Sequence, residues 1–137
     1  MRILYIFPEP LPLPRARGIQ VAHTVAALAQ QGVTVQLAYV PSHDRADPLA
    51  AYGVERPEAV TLVPLSRGLS APFSWLPLHS NRLFFRRLCN WLEQQDRRGR
   101  RPAMIMARHL KIAHALLRHF PDIPMLYEAH EVFADVA

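Results

Sequence analysis

The sequence predicts an α/β fold, a Rossmann-like parallel sheet with helices on both faces. Three observations carry that reading. Short apolar runs alternate with segments of helical period along most of the chain, the order that builds a parallel sheet. The first run, Arg2 to Phe7 (Arg-Ile-Leu-Tyr-Ile-Phe), is almost continuously apolar, as strands buried on both faces are. Strand, helix and strand also fit within about forty residues at the amino end, the size of one βαβ unit.

The elements follow in order. After the first strand, Pro8, Pro10, Pro12 and Pro14 remove backbone donors and are expected to force an extended loop. Gly18 precedes a helical pattern in which Val21, Ala22, Val25, Leu28 and Ala29 share a face. Gly32 follows the last turn and suits a left-handed cap. Val33, Val35, Leu37 and Tyr39 alternate as a second strand. Pro41 to Glu58 is polar loop with a short helix around Pro48 to Tyr52, and Val60 to Leu65 is a third strand. Ser66 to His79 is irregular. Ser80 or Asn81 can cap a helix running to about Gln95, with Phe84, Leu88, Trp91 and Leu92 on its inner face. Asp96 to Arg101 reads as a charged loop and Ala103 to Ala107 as a fourth strand. A helix over Leu110 to Phe120 turns Ala113, Leu116, Leu117 and Phe120 inward, Pro121 stops it, and Pro124 to Tyr127 makes a fifth strand.

The 137 residues suffice for one domain, 1–137, and one sizeable core. Half of them are hydrophobic, which argues against disorder. The single Cys89 excludes an internal disulfide and a multi-cysteine metal site. The run Ile3 to Phe7 is too short for a signal peptide, and no stretch approaches the ~20 apolar residues of a membrane span. A cytoplasmic protein is expected. The formal net charge is +5, and of 16 basic residues only Lys111 is not Arg. Codon bias in a GC-rich genome explains the arginines more simply than anionic substrates or an anionic membrane face do. No nucleic-acid motif accompanies the charge.

Four places can carry chemistry. Arg15-Ala16-Arg17-Gly18 leads into a helix start, where a glycine admits close approach and free N–H groups favour an anion. A single glycine is not a dinucleotide fingerprint, and a lone glycine before a helix is usually just a turn. Glu128-Ala129-His130-Glu131 follows the fifth strand, at the edge of an open α/β sheet where ligands bind. His130 is the candidate catalytic residue. A histidine serving only the fold is the alternative, and Glu128 and Glu131 can orient it or cap a following helix. Arg108 ends the fourth strand and can hold phosphate, or can serve the carbonyls of a neighbouring element. The apolar segment Leu69 to Leu78, with Arg67, Arg82, Arg86 and Arg87 around it, suits an anionic membrane face, or simply covers the sheet. No metal-ligand pattern appears, and no metal is expected.

Several of these motifs carry a resemblance. Tyr127-Glu128-Ala129-His130-Glu131 resembles the Tyr-(Asp/Glu)-Ala-His-Glu loop of family 4 glycosyltransferases, retaining enzymes of two-domain GT-B architecture. Phe7-Pro8, Gly18-Ile19-Gln20, Ala26-Leu28-Ala29, Gly32-Val33-Val35 and Ala107-Arg108 match that family's pattern in order and spacing, from Met1 to about Phe133. Where members carry Gly-Gly, this chain has Arg17-Gly18. The resemblance implies the acceptor-side, amino-terminal domain of a nucleotide-sugar-dependent enzyme. His130 would hydrogen-bond the donor sugar, and Arg17, Gly18, Arg108 and Glu131 would bind the donor. No cofactor or metal is implied, the nucleotide sugar being a co-substrate. Most donor contacts would lie on a second, carboxyl-terminal domain, so 1–137 is expected to be an incomplete domain that is inactive alone. An uncovered sheet edge would pair it into a homodimer. Two alternatives stand beside this: a non-catalytic α/β binding or regulatory module, and a subunit of a split glycosyltransferase, peripheral at the inner face of the membrane.

Overall fold

The structure is a computed structural model that describes residues 1–12, 15–42, 47–68, 72 and 81–129. Five parallel strands form one sheet: β1 (Arg2–Leu11), β2 (Thr34–Pro41), β3 (Val60–Pro64), β4 (Met104–Ala107) and β5 (Met125–Tyr127). Three α-helices connect them, α1 (Ala16–Gln30), α2 (Asn81–Arg97) and α3 (Leu110–His119), with a 3-10 turn at Ala50–Tyr52. The strand order is β3-β2-β1-β4-β5. The predicted α/β class and parallel sheet are therefore present.

Alternation along β1 sorts side chains to two cores. Leu4 and Ile6 meet Ala38, Val63, Phe84, Leu88 and Leu116 on the face covered by α2 and α3. Tyr5 and Phe7 meet Leu37, Val21, Ala22, Val25 and Leu49 on the face covered by α1. β1 is central, and Leu4, Tyr5 and Ile6 have no exposed surface. That double burial explains why the run reads as continuously apolar.

Two helices end in the same device. Gly32 has φ +84°, the Val33 N–H reaches the Leu28 carbonyl at 3.2 Å, and the Gly32 N–H reaches Ala29 at 3.1 Å. Gly99 has φ +67°, with Arg100 N–H to the Gln95 carbonyl at 2.8 Å and Gly99 N–H to Asp96 at 3.0 Å. Both are Schellman caps, which require a left-handed residue that glycine adopts without strain. The first fulfils the expectation at Gly32. The second gives order to the start of the segment read as a charged loop.

Three expectations need correction. The prolines do not end β1 at Phe7. The strand resumes after a register shift at Pro8 and Glu9, and Pro10 and Leu11 pair with Val40 and Pro41. An irregular ladder omits the donors that proline lacks, so extended prolines fit there. Gly18 lies inside the first turn of α1 rather than before it, and it is buried. Leu117 faces outward, 48% exposed, because Ile112, Ala113 and Leu116 complete the inner stripe of α3. Asn81 is the first residue of α2. Ser80 and the apolar segment Leu69 to Leu78, apart from Pro72, lie outside the described residues.

Candidate functional site at the carboxyl edge of the sheet

The chain winds from β1 outward to β2 and β3, then returns to place β4 on the other side of β1. The strand order reverses between β1 and β4. Open α/β sheets bind ligands at such a switch point. Strand alternation delivers Tyr5 and Phe7 from β1, Arg108 from beyond β4 and Glu128 from beyond β5 to the α1 side of this edge.

Arg108 is the hub. Its Nη1 donates to the Arg17 carbonyl at 3.1 Å, and its Nη2 donates to Gln20 Oε1 at 3.0 Å. Its guanidinium carbon lies 5.9 Å from the centroid of the Phe7 ring, within cation–π range. Arg108 thus ties the end of β4 to the first turn of α1, 91 residues earlier. The start of α1 has no acidic side chain, and Arg15 gives no side-chain cap. The Gly18 N–H donates to the Arg15 carbonyl at 3.0 Å, so of the expected anion site the earlier amides are the ones left for a ligand. Arg17 Nη2 is paired with Glu9 Oε1 at 2.6 Å, both partly exposed, so its charge faces β1.

The buried Tyr5 hydroxyl donates to Glu128 Oε2 at 2.9 Å, and the Glu128 N–H continues the β5 ladder to the Ala107 carbonyl at 2.9 Å. Burial, then the Glu128 hydrogen bond and charge, push the Tyr5 phenol well above its ordinary value, with Arg108 opposing. The phenol therefore stays a donor. Glu128 is thereby anchored at the end of β5, to β1 through Tyr5 and to β4 through Ala107. His130 and Glu131 lie outside the described residues. The structure thus brings Arg17, Gly18 and Arg108 together and takes the chain to Ala129. Tyr5 and Glu9 are partners that sequence reasoning did not single out. A lone phenol in the otherwise non-polar Ile3 to Phe7 run was the available signal for Tyr5.

His109, beside the hub, caps α3: its Nδ1 accepts from the Ile112 N–H at 3.3 Å. Burial lowers its pKa first, Lys111 lowers it further, and Glu9 opposes them. Protonation places a hydrogen on Nδ1 and a positive charge at a helix amino terminus, both unfavourable. Because the folded value lies below the ordinary ~6.5, the cap is fully present above that pH and is lost as pH falls through the folded value. His109→Asn keeps a cap, typically worth ~1 kcal/mol, without the titration. The melting temperature of the wild type is expected to drop more than that of His109→Asn between neutral pH and about 5. Parallel curves would remove His109 as the titrating cap.

Among the described residues, no group of three or more His, Cys, Asp or Glu side chains is placed to hold a metal ion, and no helix is long and apolar enough to cross a membrane. No protein-family model matches the chain, and no curated protein matches it. Among solved structures it is similar to Os79 from O. sativa, solved in complex with UDP and deoxynivalenol-3-glucoside, at 17% identity and a TM-score of 0.49. The match covers 94% of this chain and 28% of that one. At that identity and score the likeness bears on neither ligand nor activity.

Proposed function

We propose that this chain is the acceptor-side domain of a retaining, nucleotide-sugar-dependent glycosyltransferase. The observation that supports it is the meeting of the resemblance motifs in space. Gln20, from the Gly18-Ile19-Gln20 motif, is held by Arg108, from the Ala107-Arg108 motif, at 3.0 Å. Glu128, which opens the His130 loop, is anchored by the strand that begins the fold, at 2.9 Å. Three motifs scattered along the sequence converge on the one edge where this topology binds ligands.

In the proposed reaction the bond between the anomeric carbon and the diphosphate breaks, its electron pair going to the diphosphate; the acceptor hydroxyl oxygen bonds to that carbon, and its proton passes to the departing nucleoside diphosphate. The amides opening α1 would favour diphosphate charge through the helix dipole. Arg108 would hold that turn in place and add positive charge. His130 would hydrogen-bond the sugar. A second domain would supply most donor contacts, with no metal.

The test is sugar transfer by the protein expressed from its whole reading frame, using labelled UDP-, GDP- and ADP-sugars with lipid-linked and soluble acceptors. Transfer with retained anomeric configuration, seen by NMR, is the expected result. Tight binding without transfer to any acceptor would favour a non-catalytic binding module. Residues 1–137 alone are expected to bind each donor no more tightly than about millimolar, roughly −4 kcal/mol. Calorimetry giving a micromolar constant would place the donor site on this domain and overturn the assignment of halves.

A further inference from the structure

A cavity of about 480 Å³ lies between α2 and the edge strand β3, and runs from Arg2 and Arg100 along β3 to Leu65. Its walls Val63 and Leu65 belong to the α2 face, whereas Arg108 lies over Phe7 on the α1 face. On the α2 face the carboxyl-ward positions are aliphatic: Ile6, Ala38, Val40, Val63 and Leu65. The amino-ward positions break that rule. Leu4 pairs with Gln36 and Gln36 with Thr61, so a glutamine and a threonine continue a row that begins with leucine.

Gln36 and Gln95 are the two buried polar residues among those described, each 8% exposed, and both line this cavity. Gln36 Oε1 has no hydrogen-bond partner among the described residues. An orphaned buried acceptor destabilises the fold, and an aliphatic residue would serve the core better. A half-turn of the terminal amide exchanges its oxygen and nitrogen, so this wall can accept or donate. The lining also includes Arg2 and Arg100 and no Asp or Glu, and half-buried Trp91 adds a ring face. Neither guanidinium has an ion pair among the described residues. The Gly99 cap fixes the backbone of Arg100 by its 2.8 Å bond to Gln95, the next wall residue.

We propose that this cavity binds a small organic phosphate, its charge on Arg2 and Arg100 and its hydroxyl or N–H groups on the Gln36 and Gln95 amides. The site lies on the face of the sheet opposite Arg108 and does not depend on the glycosyl-transfer reading. Amide chemical shifts of the whole labelled chain, titrated with glucose 6-phosphate, uridine 5′-monophosphate and inorganic phosphate, test it and separate sugar from nucleotide sources. Saturable shifts are expected at Gln36, Thr61, Gln95 and Arg100 with at least one organic phosphate. Gln36→Leu should weaken binding about tenfold, the loss of one hydrogen bond to the ligand, while raising the melting temperature. Arg100→Gln should weaken it about as much with the melting temperature unchanged. The proposal is overturned by no saturable shift up to tens of millimolar, or by shifts confined to Gly18 and Arg108. Inorganic phosphate binding as tightly as the organic probes, or affinity indifferent to both variants, overturns it equally.

Discussion

Phe84→Ala lowers the stability of this domain by about 3–5 kcal/mol, the usual cost of deleting a buried phenyl ring. Phe84 has no exposed surface and enters the core between α2 and the sheet, in the cluster of Leu4, Ile6, Val63, Leu65 and Leu88. Domains of this size hold roughly 5–15 kcal/mol in total. The melting temperature is therefore expected to fall by roughly 10–20 °C. Leu117→Ala is the matched control. Leu117 sits on α3 but is 48% exposed, so its loss should cost no more than about 0.5 kcal/mol. Thermal unfolding of both variants checks the pair. Equal losses would mean that the two helices do not cover the sheet by the faces described.

The contrast between Phe84 and Leu117 shows how far periodicity reaches. Spacings of three and four identify a helix and its apolar stripe, and they fixed α2 within two residues of its observed end. They do not say how wide the buried arc is. On α3, Ile112, Ala113 and Leu116 fill the arc, and Leu117, one position on, turns out to solvent. Gly32 was legible because a glycine after a helical run has one common use. Gly99 was not, since the arginines around it made a charged loop the simpler reading. The prolines misled because each disfavours regular pairing alone, whereas β1 skips two residues and resumes.

The site was legible as positions and not as partners. Strand ends are visible in sequence, so Arg108 and Glu128 could be assigned to the carboxyl edge. What they touch depends on the strand order. Only with β4 beside β1 does Arg108 reach the first turn of α1, and only with β5 next to β4 does Tyr5 reach Glu128. Arg17 illustrates the same limit. Its place before Gly18 suggested a phosphate ligand, but Glu9, brought alongside by the extension of β1, takes its guanidinium. Any anion bound at this edge must compete with that carboxylate or use the backbone amides and Arg108.

His130→Ala, in the protein expressed from its whole reading frame, is expected to lower kcat about 10²–10³-fold, the typical effect of losing one well-placed transition-state hydrogen bond. The expectation rests on the proposed glycosyl transfer. His130 follows Glu128 by two residues, and the 2.9 Å bond from the buried Tyr5 hydroxyl fixes Glu128 at the edge of the sheet. An imidazole hydrogen-bonded to the donor sugar matters most as positive charge develops on that sugar, so the loss should fall on kcat more than on KM. If His130 serves the reaction and not the fold, the melting temperature should stay within about 2 °C of the wild type. Steady-state kinetics and thermal unfolding measured on the same preparation separate the outcomes. Full turnover in the variant removes His130 from the reaction. Lost turnover with a melting temperature many degrees lower assigns it to the fold instead. Lost kcat with unchanged melting leaves the group where the chemistry needs it, beside the sugar.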